Sequence, residues 1–155
     1  MAHISEPFDV MVINESSGHC LGVSNNSISD GETTSIIGIL HDDLENPDVI
    51  WQLRGIPPIG QEISLTHKKT GAFLTHESEK IHTDDRTPSF NAIAKKGAEA
   101  SYFFRDGDGV DRHLLSLGRA QYLTFRQIGA ITAVWGPRDA SQVNNDGFVW
   151  IIKQV

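Results

Sequence analysis

A hairpin-like pattern that recurs three times constrains the fold of this chain more than any other feature. In ISLTHKKTGAFLTH (63–76), apolar residues alternate up to a polar turn at 68–71 and then alternate again, which is typical of a β-hairpin. VINESSGHCLGV (12–23) repeats the pattern, and LLSLGRAQYLTF (114–125) is a shortened version of it. The leucines of the three copies lie 53 and 49 residues apart, at Leu21, Leu74 and Leu123.

A second marker recurs in step with the leucines. Trp51, Phe103 and Trp150 stand in short apolar runs and lie 52 and 47 residues apart. Two markers with nearly equal periods indicate three copies of one unit of about 50 residues. We interpret residues 1–155 as a single domain of three lobes, which extend over approximately 1–54 (lobe 1), 55–106 (lobe 2) and 107–155 (lobe 3).

Each lobe contains four strand-like runs bounded by clusters of Gly, Pro, Asn, Asp and Ser. The runs are 8–13, 20–23, 35–40 and 49–53 in lobe 1, 62–66, 72–75, 89–94 and 101–104 in lobe 2, and 113–117, 121–125, 130–135 and 148–152 in lobe 3. The pattern predicts an all-β fold, a β-trefoil with three pseudo-repeats of four strands each. Six strands would close a barrel and six would cap it as hairpins, which leaves few exposed sheet edges.

Composition and charge exclude several classes of function. The formal net charge of -7 argues against a nucleic-acid partner, because affinity for a phosphate backbone comes from clustered Lys and Arg. No apolar run approaches the roughly 18 residues needed to span a bilayer, and MAHISEPFDV has no signal-peptide pattern. The single cysteine, Cys20, excludes an internal disulfide. These features favour a cytoplasmic protein.

The hairpin leucine, the polar loop, the short strand and the aromatic residue that closes each lobe resemble the ricin-B-like (R-type) lectins. The resemblance is greatest to the small cytosolic mushroom lectins and covers the whole chain. It implies a β-trefoil that binds glycans of the terminal galactose or N-acetylgalactosamine type. At the family's Gln-x-Trp this chain reads Val49-Ile50-Trp51, Ser101-Tyr102-Phe103 and Phe148-Val149-Trp150, and the family's aspartate after the hairpin leucine is Gly22, Thr75 and Thr124.

Lobe 3 offers one candidate sugar site. Recognition of a sugar needs a flat apolar face and a few fixed polar groups. Trp135 ends the third strand of its lobe, where ricin-B-like lectins carry their stacking aromatic residue, and Asn145 and Asp146 follow with donors and acceptors. The alternative is that Trp135 belongs to the core.

Lobe 1 offers a second candidate. His41, Asp42 and Asn46 crowd the segment LHDDLENPD (40–48), which we expect to lie beside the hairpin loop 24–31. Side chains of this kind suit hydroxyl binding, although a solvated acidic loop is the alternative. The equivalent segment of lobe 2, AKKGAE (94–99), has no aromatic residue, and we expect no site there.

No pattern of catalytic, metal or cofactor residues stands out. DGDGVD (106–111) lacks the third ligand and the final Glu of an EF-hand loop. His67, His76 and His82 lack the spacing of a zinc site, and we expect them on the surface. We therefore expect a binding protein that needs no cofactor and is not an enzyme.

The sequence favours a lectin with glycans and glycoproteins as partners and, by the resemblance, a defensive role. Agglutination would require at least two sites per particle, from several lobes or from a homodimer. Two alternatives remain. A β-trefoil protease inhibitor could act through the loop 78–89, with Lys80 and Arg86 as anchors. An actin-binding trefoil would need basic patches, which the net acidic charge opposes.

Overall fold

A computed structural model of the chain describes residues 8–40, 47–56, 62–80, 89–97, 101–107, 112–117, 121–128, 130–137 and 146–155. Twelve strands lie within these residues. They are β1 (Phe8–Asn14), β2 (Cys20–Val23), β3 (Thr33–Ile39), β4 (Trp51–Ile56), β5 (Glu62–His67), β6 (Phe73–Lys80), β7 (Phe90–Lys95), β8 (Phe103–Gly107), β9 (Arg112–Ser116), β10 (Gln121–Ile128), β11 (Ala130–Pro137) and β12 (Trp150–Gln154). Pro47–Val49 and Asp146–Phe148 form single turns of 3-10 helix.

Six of the strands pair into a closed ring. β1 pairs with β4, β4 with β5, β5 with β8, β8 with β9, β9 with β12, and β12 with β1, all antiparallel. The ring closes where the first described strand meets the last, with Val12 opposite Ile152. A closed ring has no free edge that could pair with another chain.

The other six strands form three hairpins, β2–β3, β6–β7 and β10–β11. The second strands of the hairpins also pair with one another: β3 with β7, β11 with β7, and β11 with β3. A closed ring of six strands and three mutually paired hairpins is the arrangement expected of a β-trefoil. The all-β prediction is confirmed.

The predicted strand positions agree closely with the observed ones, since each strand starts within two residues of its predicted start. The main departure is β6, which was predicted to end at 75 and continues to Lys80. The polar residues HESEK read as a loop in the sequence. They stay in the sheet because β6 pairs with β7 through a register shift between His76 and Lys80.

The core lies inside the ring and under the hairpins. Trp51, Phe103 and Trp150, the second sequence marker, are all buried in one hydrophobic cluster with the three hairpin leucines. Trp51 Nε1 donates to Leu21 O at 2.9 Å, and Trp150 Nε1 donates to Leu123 O at 2.8 Å. Phe103 has no such donor, and its ring packs against Trp135 at a centroid distance of 5.5 Å.

The hairpin turns of lobes 1 and 2 share their geometry. Gly18 and Gly71 end the turns with φ of 74° and 77°, a left-handed conformation that favours glycine. The residue that begins each turn is polar and buried: Asn14 in lobe 1 and His67 in lobe 2. Each of these side chains bonds a carbonyl of a 3-10 turn, Asn14 Nδ2 to Gly147 O at 2.9 Å and His67 Nε2 to Asp48 O at 2.9 Å. The two contacts link lobe 1 to lobe 3 and lobe 2 to lobe 1.

Candidate functional site

The lobe 1 candidate lies largely outside the described residues. His41, Asp42 and Asn46 belong to the segment 41–46, which the structure does not describe. Asp48, at the end of the same loop, accepts hydrogen bonds from Asn26 Nδ2 and Lys69 Nζ, both at 3.2 Å. The bond from Asn26 places the described end of this loop beside the hairpin loop 24–31, as the sequence predicted.

The lobe 3 candidate needs a correction, because Trp135 is fully buried. β11 is paired on both sides at this residue, with Leu123 of β10 and Phe90 of β7. The indole Nε1 donates to Thr75 O at 3.1 Å, and the ring packs against Phe103. A ring without an exposed face cannot stack on a sugar, so the alternative reading of Trp135 as a core residue is the correct one.

The side chains of the other two residues of that candidate lie outside the described part of the chain. Asn145 lies outside the described residues, as does the side chain of Asp146, whose backbone begins the 3-10 turn Asp146–Phe148. Their predicted role in sugar binding stays a prediction.

The structure instead brings polar side chains together in a cleft of lobe 2, where the sequence predicted no site. The cleft has two compartments that share Thr75, His76 and Ser101. The outer compartment has a volume of about 600 Å³ and is also lined by Phe73, Glu77 and Lys95. The inner compartment has a volume of about 260 Å³ and is also lined by Leu74, Tyr102, Phe103, Leu117 and Trp135.

A pair of hydroxyl groups marks the junction of the compartments. Thr75 Oγ1 and Ser101 Oγ lie 3.0 Å apart, and either can donate to the other. Two hydroxyl groups together have two protons and four lone pairs, and the bond between them uses one proton and one lone pair. The pair therefore keeps both donor and acceptor capacity for a ligand. Both residues are half-buried, and both line the two compartments.

The register shift in β6 lies at the polar wall of the cleft. An irregularity in strand pairing changes the direction in which side chains point. His76 opposite Ala92 is the last regular pair before the shift. The exposed side chains of His76 and Glu77 line the outer compartment. His76 packs on Phe90 at a centroid distance of 5.4 Å, and Glu77 Oε2 accepts from Asn91 Nδ2 at 3.2 Å. These contacts fix both side chains at the rim.

Tyr102 supplies an exposed aromatic face at the inner compartment. Its neighbour Phe103 is buried, and since adjacent strand-like residues point to opposite sides, Tyr102 points outward and is 43 % exposed. The fully buried Leu74 and Trp135 form the floor, with the half-buried Leu117 beside them. Because Leu74 and Trp135 have no exposed surface, the accessible wall of the inner compartment comes from Tyr102, Leu117 and the residues of the junction.

The corresponding positions of the other two lobes are occupied differently. After Leu21 comes Gly22, where a Cβ atom would lie 2.4 Å from Ile39 Cδ1, so no side chain fits without a shift. After Leu123 comes Thr124, whose hydroxyl donates to Gly147 O at 2.6 Å. At the corresponding position of lobe 2, Thr75 presents its side chain to the cleft.

Two buried titratable groups with shifted pKa values lie outside the cleft. His67 was expected on the surface, but it is fully buried beside Trp51, and burial lowers its pKa. Asp48 O can only accept, so His67 Nε2 carries the proton and Nδ1 accepts from the Thr70 hydroxyl at 2.9 Å. Cys20 is buried, and burial raises the pKa of its thiol to about 11, which leaves it protonated at neutral pH.

Three further expectations concern metal binding, membrane spans and protease inhibition. Its residues contain no cluster of three or more His, Cys, Asp or Glu side chains that could hold a metal ion. Within the same residues no helix has the length and apolar character needed to cross a membrane. Arg86 and the side chain of Lys80, the proposed anchors of a protease inhibitor, lie outside the described set.

The sequence carried a signal for part of the cleft. The alternation around the buried marker Phe103 identifies Tyr102 as an outward-facing aromatic residue. Thr75 was already marked by its place after the hairpin leucine. Nothing in the sequence pairs Thr75 with Ser101, because 26 residues separate them and the contact depends on how β6 packs beside the start of β8.

Comparison with known proteins supports the fold but identifies no sequence family. No protein-family model matches the chain, and no curated protein matches it. Among solved structures, the Rhizoctonia solani agglutinin superposes with a TM-score of 0.69 at 18% identity, and the match covers 99% of this chain and 100% of that one.

Two further structures extend the comparison. The designed 3-fold symmetric protein ThreeFoil gives a TM-score of 0.68 at 15% identity over 95% of this chain and 99% of its own. The exo-beta-1,3-galactanase 1,3Gal43A from Clostridium thermocellum gives 0.68 at 16% identity over 99% of this chain, but only 31% of the galactanase is covered. At these identities the likeness establishes the trefoil-like fold alone.

Proposed function

We propose that this protein binds carbohydrate and that the lobe 2 cleft holds the ligand. The observation that carries the proposal is the Thr75–Ser101 hydroxyl pair, which lies between the exposed ring of Tyr102 and the polar rim at His76 and Glu77. A sugar presents a C–H face and a set of hydroxyls, and this arrangement offers an aromatic face and fixed polar groups together. Two of the similar structures, an agglutinin and a galactanase, have names that refer to carbohydrate or agglutination, which agrees with the proposal.

The finer parts of the proposal rest on the sequence. The recurring residues support a threefold repeat of the lobes, and the composition supports a location in the cytoplasm. The resemblance to ricin-B-like lectins supports specificity for terminal galactose or N-acetylgalactosamine type glycans on glycoproteins and a defensive role. We propose that the protein acts by binding rather than by catalysis, with multivalency from further lobes or from a homodimer.

A glycan array with the wild-type protein and the Ser101→Ala variant tests the proposal. Ser101→Ala removes one hydroxyl of the pair and little volume, so the fold should be retained. We expect selective binding by the wild type and at least about tenfold weaker binding by the variant, since one or two lost hydrogen bonds account for a change of that size.

Variants of lobe 1 identify the working lobe. His41→Ala/Asn46→Ala changes the site predicted from the sequence, and Asn26→Ala removes the bond to Asp48 without touching the cleft. We expect all three substitutions to leave binding unchanged. Loss of binding in these variants but not in Ser101→Ala would move the site to lobe 1, and a blank array would reject carbohydrate binding altogether.

A further inference from the structure

We propose that the sugar-binding surface continues out of the lobe 2 cleft onto the outer face of β8 and β9, where the ring of Phe104 stacks on a further unit of the same glycan. This inference rests on the proposed function and adds a subsite outside the cleft. It follows from an exposed ring and two polar side chains that strand pairing places in one row.

Phe104 exposes a large ring that the fold does not require at this position. It follows the buried Phe103 directly and is 43 % exposed. The residues that follow the closing aromatic residues of the other two lobes are Gln52 and Ile151, both half-buried. Gln52 is paired on both sides, as Phe104 is, so a polar residue suits this place in the ring of strands. The exposed ring is therefore available for a ligand.

Phe104 is continuous with the cleft through Tyr102. Tyr102 lines the inner compartment and is also 43 % exposed. Residues two apart in an extended strand point to the same side and lie about 7 Å apart along it. That distance is of the order of the repeat between neighbouring units of a glycan chain. A glycan held at Thr75 and Ser101 can therefore reach Phe104 by passing Tyr102.

Polar side chains flank Phe104 on the same face. Glu62 of β5 and Ser116 of β9 lie directly opposite it in the two neighbouring strands. Directly opposite residues share a face of the sheet, with Cβ atoms about 5 Å apart. Glu62 is exposed and Ser116 is half-buried. The carboxylate accepts from a sugar hydroxyl, and the serine hydroxyl both donates and accepts.

A third ring borders this row on the far side of Ser116. Tyr122 of β10 lies opposite Ser116, and its ring meets Phe148 edge-on at a centroid distance of 6.4 Å. Two strand spacings, about 10 Å, therefore separate Phe104 from Tyr122, with a small side chain between them. The short serine leaves room for the substituents of a sugar ring that lies on Phe104.

The size of the exposed apolar surface favours a glycan over a protein partner. At 43 % exposure, Tyr102 and Phe104 together present roughly 200 Å². A stable protein interface buries about 800 Å² on each partner, several times as much. Sugar units are small, and each needs only one aromatic face and a few polar groups.

Calorimetry with glycans of different length tests the subsite. The strongest oligosaccharide on the array is titrated into the full-length protein beside the methyl glycosides of its component sugars. We expect the wild type to bind the oligosaccharide at least tenfold more tightly than any methyl glycoside. Phe104→Gln, which introduces the residue found after Trp51, should reduce this ratio about fivefold, since it removes one stacking ring.

Two control variants accompany this measurement. Phe104→Tyr keeps an aromatic ring and should keep the ratio of the wild type. Gln52→Ala changes the corresponding position of β4, away from the cleft, and should also leave the ratio unchanged. A thermal transition like that of the wild type in each variant shows that the fold is retained.

The outcomes separate this inference from the proposed function. An unchanged ratio in Phe104→Gln would overturn the subsite and leave binding in the cleft intact. Methyl glycosides that bind the wild type as tightly as the oligosaccharide would do the same. A blank array rejects both proposals together.

Discussion

At the scale of single residues, His67 is the group whose chemistry depends most on its surroundings. In its neutral ring, Nδ1 accepts from the Thr70 hydroxyl and Nε2 donates to Asp48 O. The Thr70 hydroxyl oxygen also accepts from Ala72 N at 3.2 Å, so it has little capacity for a second N–H donor. Protonation of His67 would therefore point a second N–H at a hydroxyl oxygen that has little capacity to accept it, and it would place a charge in a buried position. Both effects disfavour the protonated ring. Lys69 lies near the ring and further lowers its pKa, while the bond and charge of Asp48 act in the opposite direction.

We predict that this histidine makes the folded state less stable in mild acid. The ordinary pKa of histidine is about 6.5, and burial lowers that of His67 in the folded state. Below pH 6.5 the unfolded chain binds the proton and the folded chain does not, so the free energy of unfolding falls as the pH drops. Urea unfolding at pH 7 and pH 5 should show a larger loss in the wild type than in His67→Gln, whose amide keeps a donor for Asp48 O and does not titrate. Equal losses would contradict this account.

At the scale of the elements, the aromatic residue at the end of each lobe joins a ring strand to a hairpin. Trp51 of β4 bonds the carbonyl of Leu21 in β2, and Trp150 of β12 bonds that of Leu123 in β10. Lobe 2 has Phe103 at this position, which keeps the packing and lacks the donor. Comparing a tryptophan with a phenylalanine at this position separates the contribution of ring volume to stability from that of the hydrogen bond.

We predict that Trp51→Ala destabilises the protein by about 3–5 kcal/mol, the usual cost of removing a large buried aromatic side chain. Trp51→Phe, which gives lobe 1 the residue found in lobe 2, should cost less, about 1–3 kcal/mol, because it leaves the Leu21 carbonyl without its partner and forms a smaller void. Denaturant unfolding measures both values. Phe104→Ala, at a half-exposed ring of β8, is the control and should cost about 1 kcal/mol or less. Normal stability of Trp51→Ala would refute a core role for this residue.

At the scale of the whole molecule, cooperativity should depend on closure of the six-stranded ring. β12 pairs with β1 on one side and β9 on the other, so its loss would open the ring and expose two edges. Removal of residues 150–155 should therefore abolish the cooperative thermal transition measured by near-ultraviolet circular dichroism. Removal of Val155 alone, an exposed residue that makes one backbone bond to Asp9 O, should lower the stability by about 1 kcal/mol or less. A cooperative transition in the shorter chain would show that the ring is not required.

The sequence by itself determined the strand positions and the fold class. Alternation with period two depends only on neighbouring residues, and it indicated β5 and the Leu74 hairpin without knowledge of the rest of the chain. The recurrence of Leu21 and Trp51 in later copies then indicated how the strands are grouped.

Only the tertiary structure decided where a ligand could bind. Trp135 has the local character of a stacking residue, and it is buried because its ring packs into the core against Phe103 of β8, which no local pattern shows. His67 reads as a polar turn residue, and it is buried because lobe 1 supplies Asp48 O as a partner. The Thr75–Ser101 pair joins two lobe 2 segments that are distant in sequence. Burial and contact are properties of the packed chain, since they depend on surfaces that residues far apart in the sequence bring to the same place.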